Sequence, residues 1–387
     1  MADRFVYLDH AASTPMRAVA RAILADPDDL GAANASGSHR AARRARALVD
    51  DARERLAELL AVNPGDVVFT SGGTESDNLA VFGRAAAVPG LVLCSAIEHP
   101  AVLEAVERVG GERVAAGGDG RMDLDALEAR LRRAVEGAEP VSLVSVMALN
   151  NEVGSIQPVV EAAELVRSLA PSAAVHSDAV QALPWIDLRS IGAAVDLLSL
   201  SGHKFGGPQG VGALVIRSGT RLVAQHVGGG QEREWRSGTL NVAGIAAMVA
   251  AAVETDGQRK AETARLARLR DRLVGTVRAG IGDALWTGER IGLDRLAAGF
   301  AHFCFDGIEA EALLFLLDSD GVCASAASAC ASGAQHPSHV LEAMGLTRET
   351  ARGSLRISLG HTTTETDIDA AAASIVAAVE RLRSRPH

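Results

Sequence analysis

The chain has 387 residues, 48% of them hydrophobic and 22% charged, with a formal net charge of -10 at pH 7. That length and apolar content allow one large domain and a smaller one, while an acidic balance with basic residues scattered over amphipathic helices leaves no footprint for direct nucleic-acid binding. No apolar run reaches the roughly 18 residues of a membrane span and the N-terminus lacks the pattern of a secretory signal; four cysteines (Cys94, Cys304, Cys323, Cys330) without close-paired metal spacing argue for reduced thiols, a cytoplasmic protein and no metal site.

In chain order, Ala45, Leu48, Val49, Ala52, Leu56, Leu59 and Leu60 keep a 3.6-residue period that predicts a helix stopped at Asn63-Pro64-Gly65. Strand-length apolar runs follow at 67–70, 91–95, 141–147, 173–176, 197–200 and 212–216. Helical stretches at 75–84, 124–135 and 158–169 separate most of them. Continuous apolar strands alternating with helices predict an α/β fold with a mostly parallel central sheet covered on both faces. A ligand belongs beyond the carboxyl ends of such strands. After Gly228-Gly-Gly230 the character changes to an arginine-rich helix over 261–278, an apolar run at 300–305 and a closing helix from about 367 to 383, which sets a boundary near residue 255.

The chain has only two lysines, Lys204 and Lys260, and Lys204 lies in Ser201-Gly-His-Lys-Phe-Gly-Gly. Arginine holds its proton too tightly to act as a nucleophile, whereas a desolvated lysine condenses with an aldehyde, so Lys204 points to a Schiff base. Its ordinary alternative is a surface lysine in a glycine-rich turn. Thr70-Ser-Gly-Gly-Thr-Glu-Ser76 follows a strand and opens a helix, a cradle for phosphate. Asp178 suits a pyridinium nitrogen or a helix cap. His99 suits ring stacking and proton transfer or a cap. Together, a phosphate cradle, an acid, an imidazole and the rare lysine after separate strands of one sheet favour pyridoxal 5'-phosphate.

On these motifs, with Tyr7-Leu-Asp-His-Ala-Ala-Ser-Thr-Pro15, Asn150-Asn-Glu-Val-Gly154, Arg236-Ser-Gly-Thr-Leu240 and Ser354-Leu-Arg-Ile-Ser-Leu-Gly360, the chain resembles cysteine desulfurases of the iron-sulfur-cluster and nitrogenase-associated type. These belong to the class V aminotransferase-like enzymes. The resemblance implies the fold of aspartate aminotransferase, with a large cofactor domain at 14–255 and a smaller α+β domain built from 1–13 and 256–387. It implies Lys204 as the cofactor lysine, Asp178 at the ring nitrogen and His99 stacked on the ring. Asn151 and Gln181 would lie about the ring hydroxyl, and Gly73, Thr74, Ser201 and His203 at the phosphate. A homodimer with Thr239 reaching in from the other subunit, and Arg356 and Asn151 at the substrate, complete the implied set.

Ser325-Ala-Ala-Ser-Ala-Cys-Ala-Ser-Gly333 carries the family's distinguishing thiol, Cys330, on a loop of small residues at about 321–334. The implied activity removes sulfur from L-cysteine, leaving L-alanine and a Cys330 persulfide for a protein acceptor. That acceptor is an iron-sulfur scaffold, a tRNA thiolation enzyme or a dedicated sulfur carrier. Cys94 and Cys304, inside apolar strands, suit inert roles; Cys323 is undecided. Selenocysteine lyase, epimerase and aminotransferase are the alternatives on the same cofactor, and an inactive binding subunit is the alternative of another class. The chain ends at Arg383-Ser-Arg-Pro-His387, without the tail by which housekeeping relatives dock a scaffold, which weighs against iron-sulfur assembly.

Overall fold

The computed structural model describes residues 5–25, 33–326 and 338–384. Its strands are β1 (Val6–Tyr7), β2 (Val67–Thr70), β3 (Leu91–Ser95), β4 (Glu112–Val114), β5 (Val141–Ser145), β6 (Ala174–Asp178), β7 (Leu197–Ser201), β8 (Gly212–Ile216), β9 (Leu285–Trp286), β10 (Phe300–Cys304), β11 (Val322–Cys323) and β12 (Ser354–Ser358).

Seven strands make the central sheet in the order β2-β8-β7-β6-β5-β3-β4. Pairing is parallel from β7 through to β4, whereas β8 is antiparallel to both β7 and β2. The two reversals cancel. β2 therefore runs the same way as β7, and β2, β3, β5, β6 and β7 present their carboxyl ends along one edge. All residues of these five strands are buried, as continuous apolar runs in a sheet covered on both faces require.

Three differences from the sequence expectation have physical reasons. β4 carries Glu112 and Arg113 at the exposed sheet edge, where charge prevents further pairing, so apolar patterning gives no sign of it. β6 runs two residues further than its apolar run, because Asp178 still pairs in register with Ser199 of β7. The alanine-rich run after Asn241 and the arginine-rich stretch beyond residue 260 form one helix, Val242–Gly280. Its polar middle stays helical under an Arg259–Asp256 pair one turn apart.

That helix joins two cores. Its first part packs into the core of the central sheet, while Leu266, Leu269, Leu273 and Val277 enter a second core with Leu8, Phe303, Ile357 and Ile375. The second core lies under an antiparallel sheet, β12-β10-β9, and the parallel pair β1–β11. The helix Glu365–Arg383 closes it, started by a capping box in which Thr364 and Asp367 satisfy each other's backbone N–H groups.

Candidate active site

A cavity of about 340 Å3 opens at the carboxyl edge of the central sheet. It is lined by Gly73 and Thr74 after β2, His99 after β3, Asn151 after β5, Asp178 and Gln181 at and after β6, and Ser201, His203 and Lys204 at and after β7. Arg356 enters from β12, on the second core. Ten of the twelve residues singled out in the sequence thus share one cavity.

Local folding explains the placements. Gly72 stands at φ +153°, a value side chains disfavour, where the chain turns from β2 into the helix Gly73–Ala87. A Cβ on Gly73 would lie 2.7 Å from the Val180 side chain, so only glycine lets the helix start seat against the segment after β6. The first turn of that helix brings unsatisfied backbone N–H groups and positive dipole to the cavity. Lys204 ends a 3-10 turn directly after β7, and its Nζ donates to the carbonyls of Ala11 (2.5 Å) and Ala12 (3.0 Å). The N-terminal Tyr7–Pro15 motif thereby closes one wall.

At two positions a side chain both bonds local backbone and lines the cavity, His99 as a helix cap and Asp178 in a turn. His99 caps the helix Pro100–Arg108 by accepting the Ala101 N–H on Nδ1 at 3.1 Å, yet it also lines the cavity. Burial, reinforced by the Lys204 charge, lowers its pKa to about 4, so the ring is neutral at pH 7 with its proton on Nε2. Asp178 accepts the Val180 N–H at 2.8 Å and faces the cavity. Burial raises its pKa, while that hydrogen bond and the Lys204 charge work to lower it.

Arg356 makes an ion pair with Asp9 and lines the cavity as well. Its Nη2 donates to Asp9 Oδ1 at 2.8 Å and its Nη1 to the Asn151 carbonyl at 3.0 Å, while Nε is buried with no hydrogen-bond partner among the described residues. Asp9 Oδ2 accepts Ser325 Oγ at 2.8 Å, and Ser325 exchanges two backbone hydrogen bonds with Arg356. Ser338 donates to Glu152, next to Asn151. Both described borders of the segment around Cys330 are therefore tied to groups at or beside the cavity.

One described sequence candidate is not in the cavity, and another lies outside the described residues. Thr239 is exposed, although Arg236 in the same segment pairs with Glu75 on the first turn of the helix Gly73–Ala87. Cys330 lies outside the described residues. The other thiols have buried or paired settings: Cys94 in β3 and Cys304 in β10 are buried, with desolvation pushing Cys304 up to about 12 and Cys94 higher still. Cys323 pairs with Tyr7 in β11, and burial followed by nearby Asp318 and Asp9 raises its pKa, the reverse of thiolate activation. Among the described residues no group of three or more His, Cys, Asp or Glu could hold a metal ion, and no helix is long and apolar enough to cross a membrane.

Sequence reading missed Ala11, Ala12 and Asp77, which also line the cavity. Asp77 had a usable signal: it lies four residues after Gly73 on the same helix face. The two alanines had none.

The family model described as aminotransferase class-V matches residues 6–371. An IscS-like cysteine desulfurase from Mycobacterium tuberculosis is 45% identical, with 97% of each chain covered. Among solved structures, a NifS-like protein superposes with a TM-score of 0.86 at 31% identity, covering 98% of this chain and 100% of that one. A structure titled SspA in complex with cysteine gives 0.74 at 28% identity, with coverages of 91% and 98%. With matches this long, the chain belongs to the class-V aminotransferase family, in its group of cysteine desulfurases.

Proposed function

We infer that this chain is a cysteine desulfurase that uses pyridoxal 5'-phosphate to take sulfur from L-cysteine, leaving L-alanine and a persulfide on Cys330. The observation that carries the reading is the convergence of Lys204, Asp178, His99, Arg356 and a helix N-terminus on one cavity. The residues fit the cofactor. Gln181 Oε1 is buried there with no hydrogen-bond partner among the described residues, as a group that takes a ring hydroxyl would be, and the glycine-started helix offers N–H donors to a phosphate. Bound there, pyridoxal phosphate supplies an aldehyde that exchanges one amine for another and a ring that takes up the electron pair left when the substrate Cα–H bond breaks.

Gly73, Thr74, Ser201 and His203 hold the phosphate, with Thr239 contributed by a second copy in a homodimer. Asp178 keeps the ring nitrogen protonated, Gln181 and Asn151 hold the ring oxygen, and neutral His99 stacks and moves protons at Nε2. Lys204 retains the cofactor between turnovers and accepts the Cα proton on Nζ. Arg356, with Asn151 beside it, holds the substrate carboxylate through its planar fork. The Cys330 thiolate attacks the substrate sulfur. An S–S bond forms, the substrate C–S bond breaks with its electron pair left on carbon, and a proton there completes L-alanine. The sum is L-cysteine plus Cys330 thiol giving L-alanine plus Cys330 persulfide, which passes to a protein acceptor. Free Cys94, Cys304 and Cys323 suit a reducing compartment, the cytoplasm. The large unit at 14–255 bears the cofactor and the unit of 1–13 with 256–387 bears Cys330 and Arg356.

The test is Cys330→Ser. It keeps every cofactor and substrate contact and removes the soft nucleophile. Expected is a yellow protein whose spectrum still shifts on adding L-cysteine but which forms almost no alanine, whereas the parent, alkylated after cysteine addition and digested, carries the extra sulfur on the Cys330 peptide. Normal alanine production by the variant, or the extra sulfur on Cys323, overturns the reading.

A further inference from the structure

The helix Gly73–Ala87 packs across β6 and β7 and lays Asp77 against the sheet face that carries His176 and Asp178 of β6 and Ser199 of β7. His176 and Asp178 are two residues apart on one strand and so point to the same side. Asp77 is 1% exposed, lines the cavity beside Asp178, and leaves Oδ1 without a hydrogen bond. Among the described residues it pairs with no arginine or lysine. Among those residues the one basic group within ion-pairing distance is His176, whose Nε2 is 3.6 Å from Oδ1. That ring is fully buried, bonded through Nδ1 to Ser145 Oγ (2.8 Å) and through Nε2 to Ser199 Oγ (3.0 Å), and burial lowers its pKa to about 3, so it brings no charge.

Two carboxyl groups thus share one buried wall with very unequal support. Asp178 has the Val180 N–H and the Lys204 charge. Asp77 has no cation, and burial followed by the Asp178 charge raises its pKa; the Ser199 hydroxyl works against this and Glu98 adds to it. Ionising both acids would set like charges together away from water, where an unpaired charge costs most. We propose that Asp77 is a positioning residue held as the neutral acid, so that the pair carries a single negative charge, on Asp178, at the wall that receives the cofactor ring. An ionised Asp77 would drive Asp178 to take up a proton and would cost the ring nitrogen its counter-ion. The inference rests on the proposed role of Asp178 and adds to it the group that keeps Asp178 charged.

The test uses the full-length protein, with pyridoxal phosphate bound and after its removal. Infrared spectra of the parent and of Asp77→Asn, recorded at neutral pH in H2O and D2O, are subtracted. Expected is a carboxylic-acid carbonyl band that shifts in D2O, is present in the parent and missing from Asp77→Asn, and remains in a Glu98→Gln control. Cofactor dissociation supplies a second measurement: Asp77→Ala should weaken retention about tenfold and Asp77→Asn, neutral and isosteric, should restore it to within about threefold of the parent, with an unchanged pH titration of the cofactor absorbance. Circular dichroism establishes that each variant folds. No difference band, or an Asn variant as impaired as Ala, overturns the proposal in favour of an ionised Asp77 paired with a protonated His176. If the band is present but Asp178→Asn leaves retention untouched, the neutral acid stands and the assigned role of Asp178 falls.

Discussion

At the scale of single residues, the chemistry depends on groups whose protonation is set by what lies within a few ångströms. Lys204 Nζ is held by two backbone carbonyls from the N-terminal segment, in a chain whose one other lysine, Lys260, lies outside the cavity. Lys204→Ala should lose turnover and the borohydride-reducible link to the cofactor, and Lys260→Ala should keep both; a reduced digest with cofactor on Lys260 would displace the whole site. In the proposed site Arg356 would offer substrate a fork that Asp9 and the Asn151 carbonyl already hold in place. Arg356→Ala should mainly raise KM for cysteine, with loss of a charge-assisted pair costing of order 2–3 kcal/mol, and steady-state kinetics would remove Arg356 from the substrate site if KM and kcat were unchanged.

At the scale of elements, what matters is how the segment around Cys330 is fastened. On one side Ser325 is tied to Asp9 and Arg356; on the other Ser338 donates to Glu152 and caps the short helix His339–Ala343. Glu152 is buried, and burial raises its pKa to about 7, against the lowering effects of Ser338 and the Arg356 charge. A carboxyl whose folded pKa exceeds its unfolded one contributes stability that is fully present below the unfolded value near 4.5 and is lost as pH rises through about 7. Chemical denaturation between pH 5 and 8 should therefore show a loss of order 1–3 kcal/mol from this group, reduced in Glu152→Gln. An identical pH slope in that variant would mean that Glu152 titrates normally.

At the scale of the molecule, the proposed site needs two copies of the chain. Thr239 is exposed and outside its own cavity, on a segment anchored to Glu75 by Arg236. If Thr239 serves the other subunit, a heterodimer of one Lys204→Ala chain with one Thr239→Ala chain keeps one intact site, because the Lys204-bearing chain receives Thr239 from its partner. Such heterodimers, purified through two different tags, should show about half the parent activity with parent KM, since one of two equivalent sites survives. If instead the surviving site behaves like the Thr239→Ala homodimer, Thr239 acts within its own chain. Light scattering at assay concentration gives the oligomeric state directly.

The sequence by itself determined six of the seven strands of the central sheet, all but β4, because a strand buried on both faces must be apolar throughout and so announces itself. It pointed to Lys204, Asp178, His99 and the Gly72–Gly73 turn for a related reason: the chemistry proposed at each needs a residue type that few others can replace. Tertiary structure decided the rest. β4 is short, charged and at an edge, and exists because it pairs with β3; the helix Val242–Gly280 is polar at its middle and runs on because its two ends pack into two cores. The partners of Arg356 come from Asp9 and Asn151, 347 and 205 residues away in sequence. The state of Asp77 turns on Asp178 and His176, which reach it through sheet order. Side-chain identity is local and legible, whereas burial, ion pairing and protonation are properties of neighbours that only the folded chain brings together.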